Sequence, residues 1–440
     1  MNRRLLFQMR CPYTGSPLTL VKTGAEAAGR IEFGIVESAA GRFPIIAGVL
    51  RLLTDELRAP LLQLVDSGAH DLALRGALEV PAMTGLSGGW DRLWRLVAQR
   101  LPLDAATRSA PPAKRHLHSR LTRQGLTFEQ LAAGVDAPLW AGWQTYRFSM
   151  PTFQPVFALA HLAAGARRIL DFGCGLGHSA FLMQRLAPQA DIVCADYSFT
   201  SMYLARRYLV PAADCLCLDG DFPLPFDREY FDCVFSTDAI QYIEAKIGLA
   251  REFRRIMTAD GVVVLAHLHN RRSPRTAGTA LDASGYDGLF DGMQRRMYPE
   301  EGIVADYVAR GALDLAREYR LPELDAALGG LSLVAANSSA PFVERRGLVD
   351  AGVAAMRGAV VNPLYEVTRI GDRSVLTRKV GAPFAFERDI EGCEILPQRF
   401  ETPLALANRT ALDSAQLAQR AELRELARRF LLIDVPAAYC

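Results

Sequence analysis

The sequence predicts an α/β fold built on an open parallel sheet, and three observations carry that reading. Residues 167–177 run Arg-Arg-Ile-Leu-Asp-Phe-Gly-Cys-Gly-Leu-Gly, an apolar strand that ends on Asp171 and breaks into three alternating glycines. A second apolar run, Asp191–Asp196, again ends in an acid, about 20 residues past the glycines. Beyond it the strand-like Phe231–Ser236, a helix from Glu244 to Met257 and a strand Val262–Ala266 continue the alternation of strand and helix.

Each element has a physical reason. Gly173, Gly175 and Gly177 suit a turn where backbone must bend sharply and approach a ligand closely, because a Cβ would block both. A helix then starts near His178. A dinucleotide fingerprint would place glycines at 173, 175 and 178, and His178 breaks that pattern. On the glycines alone, an ordinary strand–helix turn is the competing reading. The carboxylate of Asp196 suits a ribose, since it can accept hydrogen bonds from both hydroxyls.

Asp-x-Gly-x-Gly-x-Gly at 171–177 resembles motif I of class I S-adenosylmethionine (SAM)-dependent methyltransferases. The resemblance continues through Asp196, Leu224-Pro225-Phe226, the Phe231-Asp232-x-Val234 strand and the turn Ala259-Asp260-Gly261. It implies a Rossmann-like sheet with SAM as cofactor, held by Asp171, the three glycines and Asp196 on the ribose. It also implies Tyr197 against the adenine, and an acid near Gly220 on the adenine amino group. The spacing fits Asp219 and Asp221 equally. Ser236 ends the strand that faces this pocket. The helix before motif I, expected over 153–163, covers the pocket in related enzymes.

Composition bounds the remainder. The 440 residues exceed one such domain, and 50% hydrophobic with 22% charged residues fits a chain that buries a full core. A net charge of +2 gives no global reason to expect nucleic acid or a membrane surface. No apolar run approaches the roughly 18–20 residues of a membrane span, and the N-terminus does not read as a signal peptide. Eight cysteines without framework spacing point to buried thiols in a reducing cytoplasm, and no zinc-ligand cluster is visible.

Four regions follow: 1–55, 56–150, 151–275 and 276–440. In the first, Cys11-Pro12 and Gly41-Arg42-Phe43-Pro44-Ile45-Ile46-Ala47-Gly48 resemble a small zinc-ribbon-like family that includes the accessory subunit of several methyltransferases. Thr14 stands where that family has its second cysteine, so a metal-free, β-rich relic fused to its methyltransferase is expected. A plain β-hairpin module is the alternative. Residues 56–150 read as a helical linker, with apolar periodicity at Leu57–Val65 and Trp90–Leu101 around Thr84–Gly89. A basic run from Arg108 to Arg123 reads as a solvated linker, loop-like at its start, and the aromatics Trp140, Trp143, Tyr146 and Phe148 as core or substrate mouth.

His267 and His269 fall on one face at the carboxyl end of a strand, where open α/β sheets bind ligands. They are the candidate catalytic residues. A neutral imidazole there can take a proton from a substrate hydroxyl or amine, although local hydrogen bonding explains them equally, and no carboxylate partner for a metal is evident. His178 reads as structural. The last 165 residues form an α+β extension with expected helices at Glu301–Tyr319 and Ser414–Leu431, strands at Leu331–Ala336 and Ser374–Lys379, and a turn-rich stretch at 278–288.

Together these features predict a methyltransferase acting on an oxygen or nitrogen of a small-molecule or glycan-like biosynthetic substrate, without membrane. The Asn/Asp-Pro-Pro-aromatic element of amide and base methylation is replaced by Ser236-Thr-Asp-Ala239. RNA methylation through the N-terminal relic and the basic run is one rival reading, and a non-catalytic SAM-binding scaffold is the other.

Overall fold

The computed structural model describes residues 1–79, 112–123, 125–135, 138–273, 276–327, 329–379, 396–407, 412 and 421–439. The expected helix at Trp90–Leu101 and the turn at Thr84–Gly89 lie outside them. Twelve strands come first in chain order: Thr19–Ala27 (β1), Arg30–Ser38 (β2), Gly41–Ile46 (β3), Val49–Arg51 (β4), Arg168–Phe172 (β5), Asp191–Asp196 (β6), Asp214–Cys217 (β7), Phe231–Thr237 (β8), Met257–Leu268 (β9), Gln294–Pro299 (β10), Leu313–Asp314 (β11) and Leu331–Ala336 (β12).

Eleven of these form one sheet in the order β1-β2-β3-β4-β7-β6-β5-β8-β9-β12-β10, with β11 pairing separately with Glu344–Arg345. The run from β4 to β9 is parallel, and β12 and β10 close the far side antiparallel. The chain proceeds from β5 toward β7 on one side, then returns to β8 and β9 on the other. The crevice between the carboxyl ends of β5 and β8 is therefore a topological switch point, where such sheets bind ligands.

The N-terminal hairpins continue this sheet. β4 pairs in parallel with β7, matching Val49 to Cys215 and Arg51 to Cys217. Arg206 and Glu32 form a bidentate pair across the seam, and Arg30 binds Asp214 at 2.6 Å. Val49 and Leu50 are fully buried, as are Cys215 and Leu216 opposite. The Cys11 turn closes on itself, with Cys11 N–H donating to Ser16 O at 2.7 Å and Gly15 N–H to Cys11 O at 2.8 Å.

Several expected elements shift. Val262–Ala266 is the inner part of the longer β9, and Ala259–Gly261 lies within that strand at a register irregularity against β8. The helix expected over Glu301–Tyr319 runs Glu300–Arg310 and stops at Gly311, whose φ of +60° turns the chain out of the helix. Residues 153–163 are a 3₁₀ turn, an α-helix Gln154–Leu159 and a second 3₁₀ turn. Of the basic run, Pro112–Thr122 is helical, and its start at 108–111, expected to be loop-like, lies outside the described residues. Of Ser414–Leu431 the described part is the helix Ala421–Arg428. Ser374–Lys379 is a strand, Arg373–Arg378, in the middle of a three-stranded sheet outside the main one. No helix among the described residues is long and apolar enough to cross a membrane.

Candidate active site

The glycine turn sits at the switch point. Gly173, Gly175 and Gly177 all have positive φ, and a Cβ on Gly173 would overlap that of Ala239 just past β8. Around Gly175 there is open space. The helix His178–Leu186 begins directly after the turn. Asp171 is fully buried at the end of β5; its Oδ2 accepts the Ala180 N–H at 2.8 Å, and its Oδ1 has no partner among the described residues. Burial pushes the Asp171 carboxyl up to about 8. Ser236 Oγ, also buried and facing Gly173, has no partner among them either.

Asp196 accepts the Gly175 N–H at 2.9 Å on one oxygen and the Ser198 N–H at 2.9 Å on the other. Burial raises its pKa against those hydrogen bonds. Tyr197 beside it is 59% exposed, leaving its ring face open. The two acids around Gly220 differ. Asp221 accepts the N–H groups of Glu244 and Ala245, at 2.8 and 2.7 Å, at the start of the helix Lys246–Ile256. Among the described residues the Asp219 carboxylate accepts only the Asp221 N–H, at 3.0 Å. Gly220 packs where a Cβ would lie 2.6 Å from the Phe172 ring.

Across the crevice the structure gathers residues that sequence reasoning missed. Asp238, just past β8, accepts from Arg147 on Oδ2 at 3.1 Å, and from Gln241 at 2.8 Å and His269 Nε2 at 3.2 Å on Oδ1. Burial would raise its pKa, but the His269 hydrogen bond and the His267 and Arg147 charges hold it well below the usual carboxylate range. Arg147 is buried against the Trp143 ring at 4.4 Å and the Phe153 ring at 5.3 Å. The cap aromatics are mostly core: Trp140 and Phe148 are buried.

His267 and His269 meet with ring centroids 5.3 Å apart. His267 Nδ1 donates to Glu300 Oε2 at 2.8 Å. Glu300 Oε1 accepts the His267 backbone N–H at 2.6 Å and the Ser332 hydroxyl at 2.8 Å. Asp238 and His267 both hold left-handed backbone, φ +57° and +51°, which non-glycine residues adopt rarely and often at functional sites. A carboxylate partner, which the sequence did not reveal, is therefore present twice over, as Asp238 and Glu300. The signal available was the second acid at the first position of a helix after Pro299, but 33 residues separate it from His267.

Ligand atoms of Asp238, His267 and His269 lie within 4.8 Å of one another, a grouping that invites a cation. The hydrogen bonds argue otherwise. His269 Nδ1 accepts the Ala277 N–H at 2.9 Å, so its Nε2 carries the proton and has no lone pair for a metal. These side chains form a proton network. His178 faces away from it, with Nε2 2.8 Å from the Tyr439 hydroxyl and 3.2 Å from Gln144 O, and burial together with Arg147 presses it down to about 3.

This geometry meets an independent finding. Residues 170–265 match a family described as a methyltransferase domain. Fold and matched segment together define a class I, SAM-dependent methyltransferase domain, and its cofactor is S-adenosylmethionine. Among curated relatives, the malonyl-[acyl-carrier protein] O-methyltransferase of Legionella pneumophila is 32% identical over 111 residues, 25% of this chain and 39% of that protein. The enzyme of the same name from Herminiimonas arsenicoxydans is 29% identical over 191 residues, 42% of this chain and 65% of that protein. A solved complex of the Haloferax volcanii Trm112 methyltransferase activator with a methyltransferase has a chain 18% identical, with TM-score 0.34, covering 48% of this chain and 97% of that one. The chain spans 34% to 65% of the malonyl-[acyl-carrier protein] relatives it matches.

Proposed function

We propose that the chain transfers the SAM methyl group to an oxygen or nitrogen of a small biosynthetic substrate, free or carried on a protein. The observation that carries this reading is the unpartnered, buried Oδ1 of Asp171 beside the open space at Gly175. A buried carboxyl with an orphaned oxygen is costly unless a ligand completes it, and the cationic methionine end of SAM would do so. On this reading Asp196 accepts from the ribose hydroxyls and Tyr197 covers the adenine. Asp219 takes the adenine amino group, because Asp221 is engaged by the N–H groups of residues 244 and 245. Ser236 lines the floor.

The sulfonium is already activated, so the protein's part is alignment and exclusion of water, which supplies on the order of 7–11 kcal/mol. The relatives' names favour oxygen as acceptor. RNA is disfavoured because three described basic residues of the run are engaged internally: His118 with Asp71, Arg120 with Gln130 O and His116 with Gly134 O. Residues 1–55 serve, on the same reading, as a metal-free counterpart of the zinc-ribbon-like accessory family. One cysteine, Cys11, is too few ligands for a structural zinc. Titration calorimetry with SAM tests the cofactor site. Wild type binds, and Asp196→Ala weakens binding about 10-fold or more, as expected for losing hydrogen bonds to a charged acceptor. No binding by wild type, or equal binding by the variant, refutes the assignment.

A further inference from the structure

We propose that His267, oriented by Glu300, is the proton acceptor of this site, and that the methyl acceptor is protic, a hydroxyl or an amine, rather than a carboxylate. The proposal rests on methyl transfer being the activity.

The pair is built for one tautomer. Glu300 receives the Nδ1 proton and the backbone N–H of the same histidine, and Ser332 fills its remaining side. With Nδ1 committed as donor, the basic lone pair falls on Nε2, which has no partner among the described residues. Gly330 makes the arrangement possible. Its φ is +154°, and a Cβ there would lie 2.6 Å from Glu300 Oε2 and 3.0 Å from His267 Nδ1. Both side chains are nearly closed from solvent, 8% and 6% exposed. Neither lies in the segment that matches the methyltransferase family, which ends at residue 265.

Charge selects the acceptor. The groups facing His267 are Glu300, Asp238, His269 and Arg147. Two are carboxylates, and the one guanidinium that the described residues place on this cluster is bound to Asp238. A substrate carboxylate would bring a third negative charge beside Asp238 and Glu300, and among the described residues the guanidinium that could meet it is already bound to Asp238, which is unfavourable. It would also have no proton to give up on methylation. A hydroxyl or amine has both properties the site calls for. Its lone pair forms the new bond to the methyl carbon, and the C–S bond breaks with its electrons returning to sulfur as a neutral thioether. The acceptor's proton passes to His267 Nε2, and Glu300 balances the resulting imidazolium. Burial lowers the His267 pKa, and the Glu300 carboxylate outweighs it and raises it above the usual value. Glu300 is thus a positioning residue.

The test uses the full chain and methyl-labelled SAM in an extract of cells lacking the gene. The label is then divided by treatment with alkali, which releases methanol from methyl esters and leaves ethers and methylamines intact. Alkali-stable label is expected. His267→Asn, which tolerates left-handed backbone, should bind SAM as wild type and lose about 10²–10⁴-fold in rate. Glu300→Gln should move the midpoint of the pH–rate curve downward, while Ser332→Ala, which removes a hydrogen bond that disperses the Glu300 charge, should move it less and upward and serves if the first variant does not fold. Alkali-labile label, full activity in His267→Asn, or an unmoved midpoint in the glutamate and serine variants would each overturn the proposal while leaving methyl transfer standing. SAM binding without any labelled product overturns methyl transfer as well.

Discussion

On the β5 side of the crevice, the site is written into one stretch of chain. Strand, glycine turn and helix follow each other from Arg168 to Leu186, and Asp196 arrives one strand later. Backbone N–H groups, positive φ and open space at Gly175 prepare it for a ligand shared by many proteins. On the β8 side, Arg147, Asp238, His267, Glu300 and Ser332 converge from five segments spread over nearly 190 residues, and side chains make nearly every contact. On the function proposed above, the difference follows from what each side binds. A fixed cofactor demands fixed local geometry, whereas an acceptor pocket can be assembled from whatever the fold brings near.

Substitutions can break that contrast or sharpen it. The largest effect is expected from Asp238→Ala, which strands a buried guanidinium. Arg147 and Asp238 are 6% and 16% exposed, and removing one partner of such a pair costs about 3–5 kcal/mol. Denaturant unfolding should read this as a lower midpoint, and an unchanged midpoint would mean that the β8 side is not structurally committed. Gly173→Ala should act on the other side. Its Cβ overlaps Ala239 in a left-handed conformation, so SAM affinity by calorimetry should fall about 100-fold through strain of about 1–3 kcal/mol or more. The smallest effect separates the two acids around Gly220. Asp221→Ala should cost about 1 kcal/mol of stability through lost N–H partners while leaving SAM affinity intact. Asp219→Ala should do the reverse. Equal affinity losses in both would erase the distinction.

How much of this was legible follows the same division. The order of β5, β6, β8 and β9 and the glycine turn that ends β5 follow from periodicity and from glycine chemistry, which act over a few residues. The end of the helix at Arg310 was also legible, because Gly311 is a strong stop signal, and the sequence reading ran past it. The Arg147–Asp238 pair was not, since 91 residues separate its members and neither belongs to a motif. The two histidines stood out by residue type alone. Their partners did not, because Asp238 sits in a turn and Glu300 opens a helix, positions where acids are common for ordinary reasons. The first 55 residues read as a separate module, yet their strands join the main sheet, because a parallel pairing such as β4 with β7 leaves no local trace.

That pairing has a consequence for regulation. A strand supplied to a sheet edge by a separate chain would be held only as firmly as the concentration of that chain allows. Here the β7 edge of the sheet is covered by β4 of the same chain, so the association is intramolecular, with an effective concentration on the order of millimolar or above. Dilution cannot release it and competitors cannot easily displace it. The sheet is committed to this edge from the moment the chain folds.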